Sequence, residues 1–294
     1  MSATILTSTP TRGAHTLELP VFAMPAGACD SHVHVFESAA RYPSVAAPHY
    51  TLPDGSLTKL QSMTEALALQ RFIAVQPSYY GTDNTCMLDA LDAAGQRARG
   101  VAMVGDDVQE AELNAMHARG VRALRLDLFL RSGWSTTDII AYIAHNVRRT
   151  SAIGWHVQFY TPGWVVRDLL PFLADLDATF VIDHMGYMLE SDGLTDADFD
   201  RLLSVIRSGR AWIKLSAPYR LAKDGNFERL KPMARAIIEA APDRVIWGSD
   251  WPHIPDGAKD TGALVNLLAD WAPDSDARRR ILVGNPAKLF GFGI

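Results

Sequence analysis

Two histidines two positions apart stand in an apolar run near the start of the chain. The segment CDSHVHVF, residues 29–36, carries His32 and His34, with Asp30 just ahead of them. Side chains alternate between the two faces of a β-strand, so residues two apart point the same way. If this run is a strand, both imidazole rings face the same space. They either share a site or are packed and hydrogen-bonded for structural reasons.

An aspartate and a third histidine follow other apolar runs in the same way. Asp250 stands in VIWGSDWPH, where a carboxylate is costly to bury unless it is paired or hydrogen-bonded. His184 follows the run TFVI at residues 179–182. A lone histidine is usually a satisfied core residue, but converging imidazole and carboxylate groups can move protons near neutral pH. The joint pattern therefore carries more weight than any single residue.

Three arginines are candidate anion-binding groups. Arg125, Arg131 and Arg220 lie in or after apolar runs of a protein whose formal net charge is −5. Guanidinium groups bind carboxylates through planar, bidentate hydrogen bonds, so these residues suggest a small anionic ligand. An ion pair with Asp127 would also explain Arg125, and solvated loops would explain the other two. Further polar candidates occupy equivalent positions: Gln76, Ser78, Tyr160, Tyr219 and His253.

Eight apolar runs of strand length carry these residues. They alternate with amphipathic segments, as expected for buried parallel strands joined by helices. The runs span residues 29–36, 71–78, 99–105, 121–128, 155–160, 179–186, 211–217 and 244–251. Eight such repeats predict a (β/α)8 barrel of the α/β class, in which chemistry is placed at the carboxyl ends of the strands. A doubly wound open sheet is the competing architecture, and the lack of a GxGxxG motif after the first run weakens it.

The chain length of 294 residues suits a single barrel domain. Residues 1–25 are rich in Thr and Pro and are assigned to an irregular N-terminal arm, and residues 26–294 to the barrel. The Pro-rich segment 37–58 follows the first strand, so it is predicted to lie over the mouth of the active site.

Composition and charge argue against several kinds of partner. The sequence has no basic stripe for nucleic acid and no apolar run of about 18 residues for a membrane span. Cys29 and Cys86 are the only cysteines, and they fit neither a disulfide framework nor a zinc-ligand spacing. No secretion signal is visible, so we expect a cytoplasmic protein. The sequence does not indicate an oligomeric state.

Seven segments in order resemble one branch of the amidohydrolase superfamily. A His-x-His after the first strand, a histidine after the sixth and an aspartate after the eighth are the skeleton of that superfamily. The finer resemblance, over residues 25–292, is to the 2-pyrone-4,6-dicarboxylate lactonase group, which includes sulfomuconolactone and sugar-acid lactone enzymes. The segments that carry it are GACDSHVHVF, VQPSYYGTDN, GVRALRLDLFLR, GWHVQFY, VIDHMG, RVIWGSDWPH and NPAKLFGF.

The resemblance implies catalytic roles for the candidate residues. Asp250 would activate water for attack on a lactone. The histidines of the first and sixth strands would polarise the lactone carbonyl, with the fifth-strand tyrosine nearby: His32, His34, His184 and Tyr160.

The resemblance also implies substrate contacts. Arg125, Arg131 and Arg220 would hold carboxylates, with help from Ser78, and His253 is a further candidate contact. The dicarboxylate lactonase has an arginine three residues after its sixth-strand histidine, whereas this chain has Tyr187 there. A related anionic lactone is therefore as compatible with the sequence as the pyrone dicarboxylate.

A metal is not expected to be required. Binuclear amidohydrolases have a carboxylate or modified lysine on the fourth strand and a histidine ending the fifth. Here those places hold Leu126 or Asp127 and Tyr160. The resemblance implies that the protein, like the nearest members of that group, works without a metal or other cofactor. If a single Zn²⁺ were bound, its ligands would be His32, His34, His184 and Asp250.

These features predict a hydrolase that opens a small carboxylated lactone, either 2-pyrone-4,6-dicarboxylate-like or muconolactone-like. No Gly-x-Ser-x-Gly elbow is present, so water is the expected nucleophile. The group implies catabolism of aromatic-derived acids. The alternatives are a sugar-acid lactone isomerase, a zinc-dependent decarboxylase on the same barrel, and a non-catalytic binding protein.

Overall fold

Eight parallel strands form one sheet in the computed structural model, which describes residues 17–45, 52–188, 194–255 and 257–293. Neighbouring strands pair in chain order, and a helix lies in each connection between them. The strands are β1 (Cys29–Val33), β2 (Arg71–Val75), β3 (Ala98–Ala102), β4 (Val121–Asp127), β5 (His156–Tyr160), β6 (Phe180–Ile182), β7 (Ala211–Ser216) and β8 (Val245–Gly248). The predicted (β/α)8 barrel is confirmed, and each of the apolar runs overlaps one strand.

The barrel closes along a seam between β1 and β8. Val33 and Trp251 form a parallel bridge there. The His34 N–H donates to the Trp251 carbonyl at 2.8 Å. The Asp250 N–H donates to the His32 carbonyl at 2.9 Å. The seam therefore joins the first and last sequence motifs directly, with candidate catalytic residues on both of its sides.

Helices cover the outer face of the barrel. They are α1 (Leu57–Ala66), α2 (Thr85–Ala94), α3 (Glu110–Ala118), α4 (Thr136–Ser151), α5 (Gly163–Asp175), α6 (Asp196–Arg207), α7 (Pro218–Leu221), α8 (Lys231–Ala240), α9 (Thr261–Trp271), α10 (Ser275–Arg279) and α11 (Asn285–Phe290). Several of them begin at side-chain caps that accept a backbone N–H, among them Ser135, Thr195, Asp260 and Asp274. None of the helices in the described ranges is long and apolar enough to cross a membrane.

The inward-facing residues of the barrel form two layers. The lower layer is apolar except for His156 of β5, whose ring lies 5.1 Å from that of Phe290. Phe290 and Phe292 close this layer near the C-terminus. The apolar strand residues of this layer are Cys29, Ile73, Val101, Ala123, Val181, Trp212 and Ile246. Because the side-chain period of a strand is two, the next inward residues come two positions later, and several of these are polar. They include Arg125, Asp183 and Lys214, each at most 5% exposed. This buried polar layer lies directly beneath the carboxyl ends of the strands.

Residues 17–25 are the described part of the predicted N-terminal arm, and they contain no helix or strand. The Glu18 N–H donates to Asp260 at 2.9 Å, which ties this segment to the start of α9. The Asn266 side chain bonds the backbone at Leu19 and Val21. Residues 1–16 of the arm lie outside the described residues. So do residues 46–51 of the segment predicted to lie over the mouth.

Gly248→Ala should destabilise the protein at the seam. A methyl group at Gly248 would lie 2.6 Å from His32 Cβ and 2.7 Å from the His32 nitrogen. Backbone atoms of a paired strand cannot move aside as a flexible side chain does. We therefore expect the free energy of unfolding in urea to fall by about 1–3 kcal/mol.

Gly284→Ala is the matched control for this measurement. A methyl group at Gly284 meets no heavy atom within 4 Å, and the backbone there is helical. The free energy of unfolding should stay the same or rise, because alanine favours a helix over glycine. Equal losses in the two variants would contradict a steric constraint at Gly248.

Candidate active site

Four candidate catalytic residues meet at the carboxyl ends of β1, β6 and β8. The Nε2 atoms of His32 and His34 lie 3.5 and 3.3 Å from the Asp250 Oδ1 atom. The ring centroid of His32 lies 5.0 Å from that of His34 and 4.8 Å from that of His184. All four side chains are buried, and the most exposed of them is His34 at 6%. Residues from distant parts of the chain therefore share one site.

Asp250 is held as an ionised carboxylate with its two oxygens in different environments. Its Oδ2 accepts hydrogen bonds from the Tyr219 hydroxyl at 2.6 Å and the Arg220 Nε at 2.8 Å. Burial alone would raise the pKa of Asp250, but the Arg220 guanidinium and the nearby imidazoles outweigh it and hold the pKa well below its usual range. Oδ2 is thus occupied by protein donors, while Oδ1 faces the imidazoles and any ligand among them.

His34 has a defined tautomer. Its Nδ1 atom lies 2.8 Å from the Val75 carbonyl oxygen. A carbonyl oxygen only accepts hydrogen bonds, so Nδ1 carries the proton. In the neutral ring, Nε2 then presents a lone pair towards Asp250. His34 can donate to Asp250 or to a ligand oxygen only when the ring is doubly protonated.

His184 lies in a strained turn after β6. Its backbone has a φ of +52°, in the left-handed region that non-glycine residues seldom adopt. The Nδ1 atom of His184 pairs with the Ser216 hydroxyl at 2.8 Å, which fixes the ring. Burial lowers the pKa of His184 to about 4, although Asp250 and Asp183 act in the opposite direction. The ring is therefore neutral at physiological pH.

Aromatic side chains form one wall of the site. The Tyr160 ring lies 5.9 Å from the His184 ring and 4.4 Å from the Phe129 ring, measured between centroids. Tyr187 packs against Phe129 at 5.2 Å and against His184 at 5.6 Å. Tyr187 is buried and also has a positive φ, of 53°. The tyrosine that replaces the arginine of the lactonase pattern is thus part of this wall, as is Phe129, which the sequence did not single out.

A second set of buried polar groups lies beneath the imidazoles. Lys214 Nζ is 2.8 Å from Gln158 Oε1, 3.2 Å from His32 Nδ1 and 3.3 Å from Asp183 Oδ1. The Gln158 amide nitrogen donates to Asp183 Oδ2 at 3.0 Å. Our sequence reasoning missed Lys214 and Gln158. Lys214 could have been found from its position two residues after Trp212 in the run AWIKLS, because residues two apart on a strand point the same way and Trp212 faces the barrel interior.

Arg125 is buried beside the aromatic wall. Its Nη1 donates to the Gln76 carbonyl at 3.0 Å and contacts the Ser78 hydroxyl at 3.4 Å. The guanidinium carbon lies 4.4 Å from the centroid of the Tyr160 ring. The Arg125 Nε atom has no hydrogen-bond partner within the part of the chain that the structure describes. Asp127 accepts instead from the Ser78 hydroxyl and from the Leu130 N–H.

The remaining predicted substrate-binding residues also contact protein groups, although the Arg131 Nε atom, like that of Arg125, has no hydrogen-bond partner among the described residues. Arg131 stacks on the Tyr142 ring at 4.2 Å and donates to the Asp127 carbonyl at 2.9 Å. Arg220 is committed to Asp250 through its Nε atom. His253 is 2% exposed, and its Nε2 atom lies 3.3 Å from the Thr261 hydroxyl. Among the three arginines, Arg125 is the one that stacks on the wall of the site.

Two overlapping groups of side chains have the composition of a metal site. One comprises His32, His34 and Asp250, and the other His32, Asp183 and His184. Within each group, the potential ligand atoms lie within 4.8 Å of one another. His34 Nε2 and Asp250 Oδ1 suit a cation, because in the neutral ring the nitrogen presents a lone pair and the oxygen belongs to an ionised carboxylate. The suitability of His32, which belongs to both groups, depends on which of its ring nitrogens carries the proton.

Two known proteins are similar to this chain over nearly its whole length. A 2-pyrone-4,6-dicarboxylate hydrolase of Comamonas testosteroni is 34% identical over 284 residues, covering 92% of each chain. A 4-sulfomuconolactone hydrolase of Hydrogenophaga intermedia is 33% identical, covering 92% of this chain and 90% of the other. Both relatives are named as hydrolases of lactones.

A solved structure shares the architecture. A probable 2-pyrone-4,6-dicarboxylic acid hydrolase from Acinetobacter baumannii, with citric acid bound, superposes with a TM-score of 0.79 at 28% identity. The match covers 90% of this chain and all of the other. The amidohydrolase family model matches residues 29–292, nearly the whole barrel and every candidate catalytic residue. The chain therefore belongs to the amidohydrolase family.

Proposed function

We propose that the protein hydrolyses a small lactone that carries a carboxylate, with water activated by Asp250. The observation that carries this proposal is the position of Asp250 Oδ1. It lies within 3.5 Å of the Nε2 atoms of His32 and His34 in a buried space, while Oδ2 is saturated by Tyr219 and Arg220. Two relatives at 33–34% identity that are named lactone hydrolases support the reaction class.

The reaction uses Asp250 as the general base. Water attacks the lactone carbonyl carbon, and Asp250 Oδ1 takes a proton from the water as the new C–O bond forms. The ring C–O bond then breaks, and the leaving alkoxide or enolate oxygen takes up a proton, so the product is an open-chain hydroxy- or oxo-acid. A carboxylate with a low pKa is a weak base, but it is ionised throughout the neutral range. Arg220 and Tyr219 keep it in that form and fix its orientation.

The imidazoles stabilise the developing oxyanion. His32 Nε2 is buried and has no hydrogen-bond partner among the described residues, which is rare for a buried nitrogen and suits an atom that binds a ligand oxygen. His184 is neutral, and with the Ser216 hydroxyl donating to its Nδ1 atom, its Nε2 atom carries the proton and can donate to the same oxygen. Removing one donor from an oxyanion site typically raises the barrier by about 2.7–4 kcal/mol.

The substrate is proposed to be flat, unsaturated and anionic. The wall of Phe129, Tyr160 and Tyr187 offers aromatic faces and edges against which a planar ring can pack. Arg125 stacks on Tyr160 and retains an unpartnered Nε among the described residues, so it can receive a carboxylate at the edge of that wall. The proposed mechanism uses only water and side chains of the protein and needs no metal ion.

Asp250→Asn should abolish lactone hydrolysis. The amide cannot accept a proton from water, and general-base catalysis is commonly worth 100- to 10,000-fold, so we expect kcat to fall by at least about 100-fold. The measurement is proton release on a panel of lactones with and without a carboxylate, run with and without a chelator. The wild-type enzyme should prefer the carboxylated members and be insensitive to the chelator.

Several results of this panel would reject the proposal. Equal rates on neutral and carboxylated lactones would remove the anionic substrate. Consumption of a lactone without proton release would indicate an isomerase, and release of CO₂ would indicate a decarboxylase. An Asp250→Asn variant with more than a few per cent of the wild-type rate would reject the base role.

Arg125→Met should weaken binding of carboxylated lactones selectively. A hydrogen bond to a charged group contributes about 1.5–3 kcal/mol, so we expect KM to rise roughly 10- to 100-fold for these substrates and little for neutral ones. Arg122→Met on the same strand is the matched control, because Arg122 bonds the His117 and Val121 carbonyls. Steady-state kinetics on both substrate classes provides the test, and equal KM changes for both classes would contradict the role of Arg125.

A further inference from the structure

Lys214 is fully buried at the centre of the barrel. Its Nζ atom has three polar neighbours within 3.3 Å: Gln158 Oε1, His32 Nδ1 and Asp183 Oδ1. An ammonium group has three N–H donors and no lone pair. Two of these contacts, to Gln158 Oε1 and His32 Nδ1, have hydrogen-bond geometry, and Asp183 Oδ1 is paired with the ammonium by charge. The ammonium therefore donates to a ring nitrogen of His32.

The charge on Lys214 is required by its neighbour Asp183. The Asp183 carboxylate is fully buried, and the Lys214 ammonium holds its pKa far below the usual range against the effect of burial. Burial lowers the pKa of Lys214, while Asp183 opposes that change. A neutral amine would leave an ionised carboxylate without a cation in the interior, which is far more costly than the ion pair.

We propose that Lys214 is a positioning residue that holds His32 in the tautomer protonated on Nε2, which makes the ring a hydrogen-bond donor and unsuitable as a metal ligand. With Nδ1 accepting from the ammonium, the single proton of the neutral ring must lie on Nε2. That nitrogen is the one 3.5 Å from Asp250 Oδ1. A metal would need the lone pair that this proton occupies.

The two histidines of the His-x-His motif are thus opposite in character. His34 donates through Nδ1 to a backbone carbonyl, the arrangement that metal-binding histidines usually show. His32 accepts through Nδ1 and donates through Nε2. Both potential metal groups include His32, so neither is complete while Lys214 is charged. Only the role of His32 as a donor to a lactone oxygen rests on the proposed function; its tautomer does not.

Lys214→Met should create a zinc site. Asp183 Oδ1 lies 3.5 Å from His32 Nδ1, so it can accept the proton of that nitrogen once the ammonium is gone. The Nε2 lone pair then becomes available, in the carboxylate–histidine arrangement of metal sites. After dialysis against a dilute zinc buffer and removal of free ion, we expect zinc affinity at least about 10-fold higher than in the wild type.

Two further variants serve as controls for this measurement. Lys59→Met removes an exposed lysine from α1 and should leave zinc binding at the wild-type level. His32→Asn in the Lys214→Met background should remove the gained zinc. A gain that survives loss of His32 would place the metal elsewhere and overturn the proposal.

The tautomer can be read directly in the wild type by nuclear magnetic resonance. With ¹⁵N-labelled histidine, the resonances of His32, assigned through His32→Asn, should show Nδ1 unprotonated and Nε2 protonated. In Lys214→Met the proton should move to Nδ1. If the unpaired Asp183 prevents that variant from folding, Lys214→Met/Asp183→Asn removes both charges and should also lose the exclusive Nε2–H form.

The outcomes separate this inference from the proposed function. A protonated Nδ1 in the wild type, or one equivalent of zinc bound tightly through His32, would overturn the role of Lys214 whatever the substrate. The expected spectra together with no activity on any lactone would leave the role of Lys214 standing and reject the lactonase.

Discussion

The hydrogen-bonded seam between β1 and β8 is the constraint on which the site depends. Asp250 donates its backbone N–H to His32, and His34 donates its own to Trp251. Below these bonds, the Asp30 carboxylate accepts the Ser249 and His32 N–H groups at 2.9 and 3.2 Å. Backbone hydrogen bonds, and not only side-chain rotamers, thus hold Asp250 next to the imidazoles. The distance between Asp250 and the imidazoles is therefore set by the closure of the barrel itself.

The two buried carboxylates next to the imidazoles, Asp250 and Asp183, are each held in an ion pair. Asp250 is paired with Arg220, whose side chain remains 24% exposed, and Asp183 with Lys214, which has no exposed surface. An unpaired charge at either place would be strongly unfavourable. The first pair occupies one oxygen of Asp250 and leaves the other facing the imidazoles. The second pair lies beneath the imidazoles, where Lys214 also contacts the His32 ring.

The sequence predicted the barrel well because its signal is local. Strands buried on both faces must be apolar runs of limited length, and eight such runs with helical segments between them leave few architectures. The same logic placed His32, His34, His184 and Asp250 together, because the carboxyl ends of parallel strands share one end of a barrel.

The sequence could not show which groups the arginine side chains would contact. Arg220 was expected to hold a substrate carboxylate, and the structure pairs it with Asp250. Arg131 was expected in the same role, and its guanidinium stacks on Tyr142 and Trp134. An arginine can satisfy a carboxylate, a carbonyl or an aromatic face, and the selection depends on distances across the barrel that no spacing encodes.

The His-x-His motif illustrates why a shared pattern does not fix a shared chemistry. The spacing of two guarantees only that both rings enter the same space. What each ring does there follows from the group behind its Nδ1 atom: the Val75 carbonyl for His34 and the Lys214 ammonium for His32. A backbone carbonyl is present whatever residue occupies position 75, so the tautomer of His34 is a property of the fold. The partner of His32 is a side chain, so a single substitution on β7 can change His32 from a hydrogen-bond donor into a metal ligand. The His-x-His motif alone does not show which of the two it is.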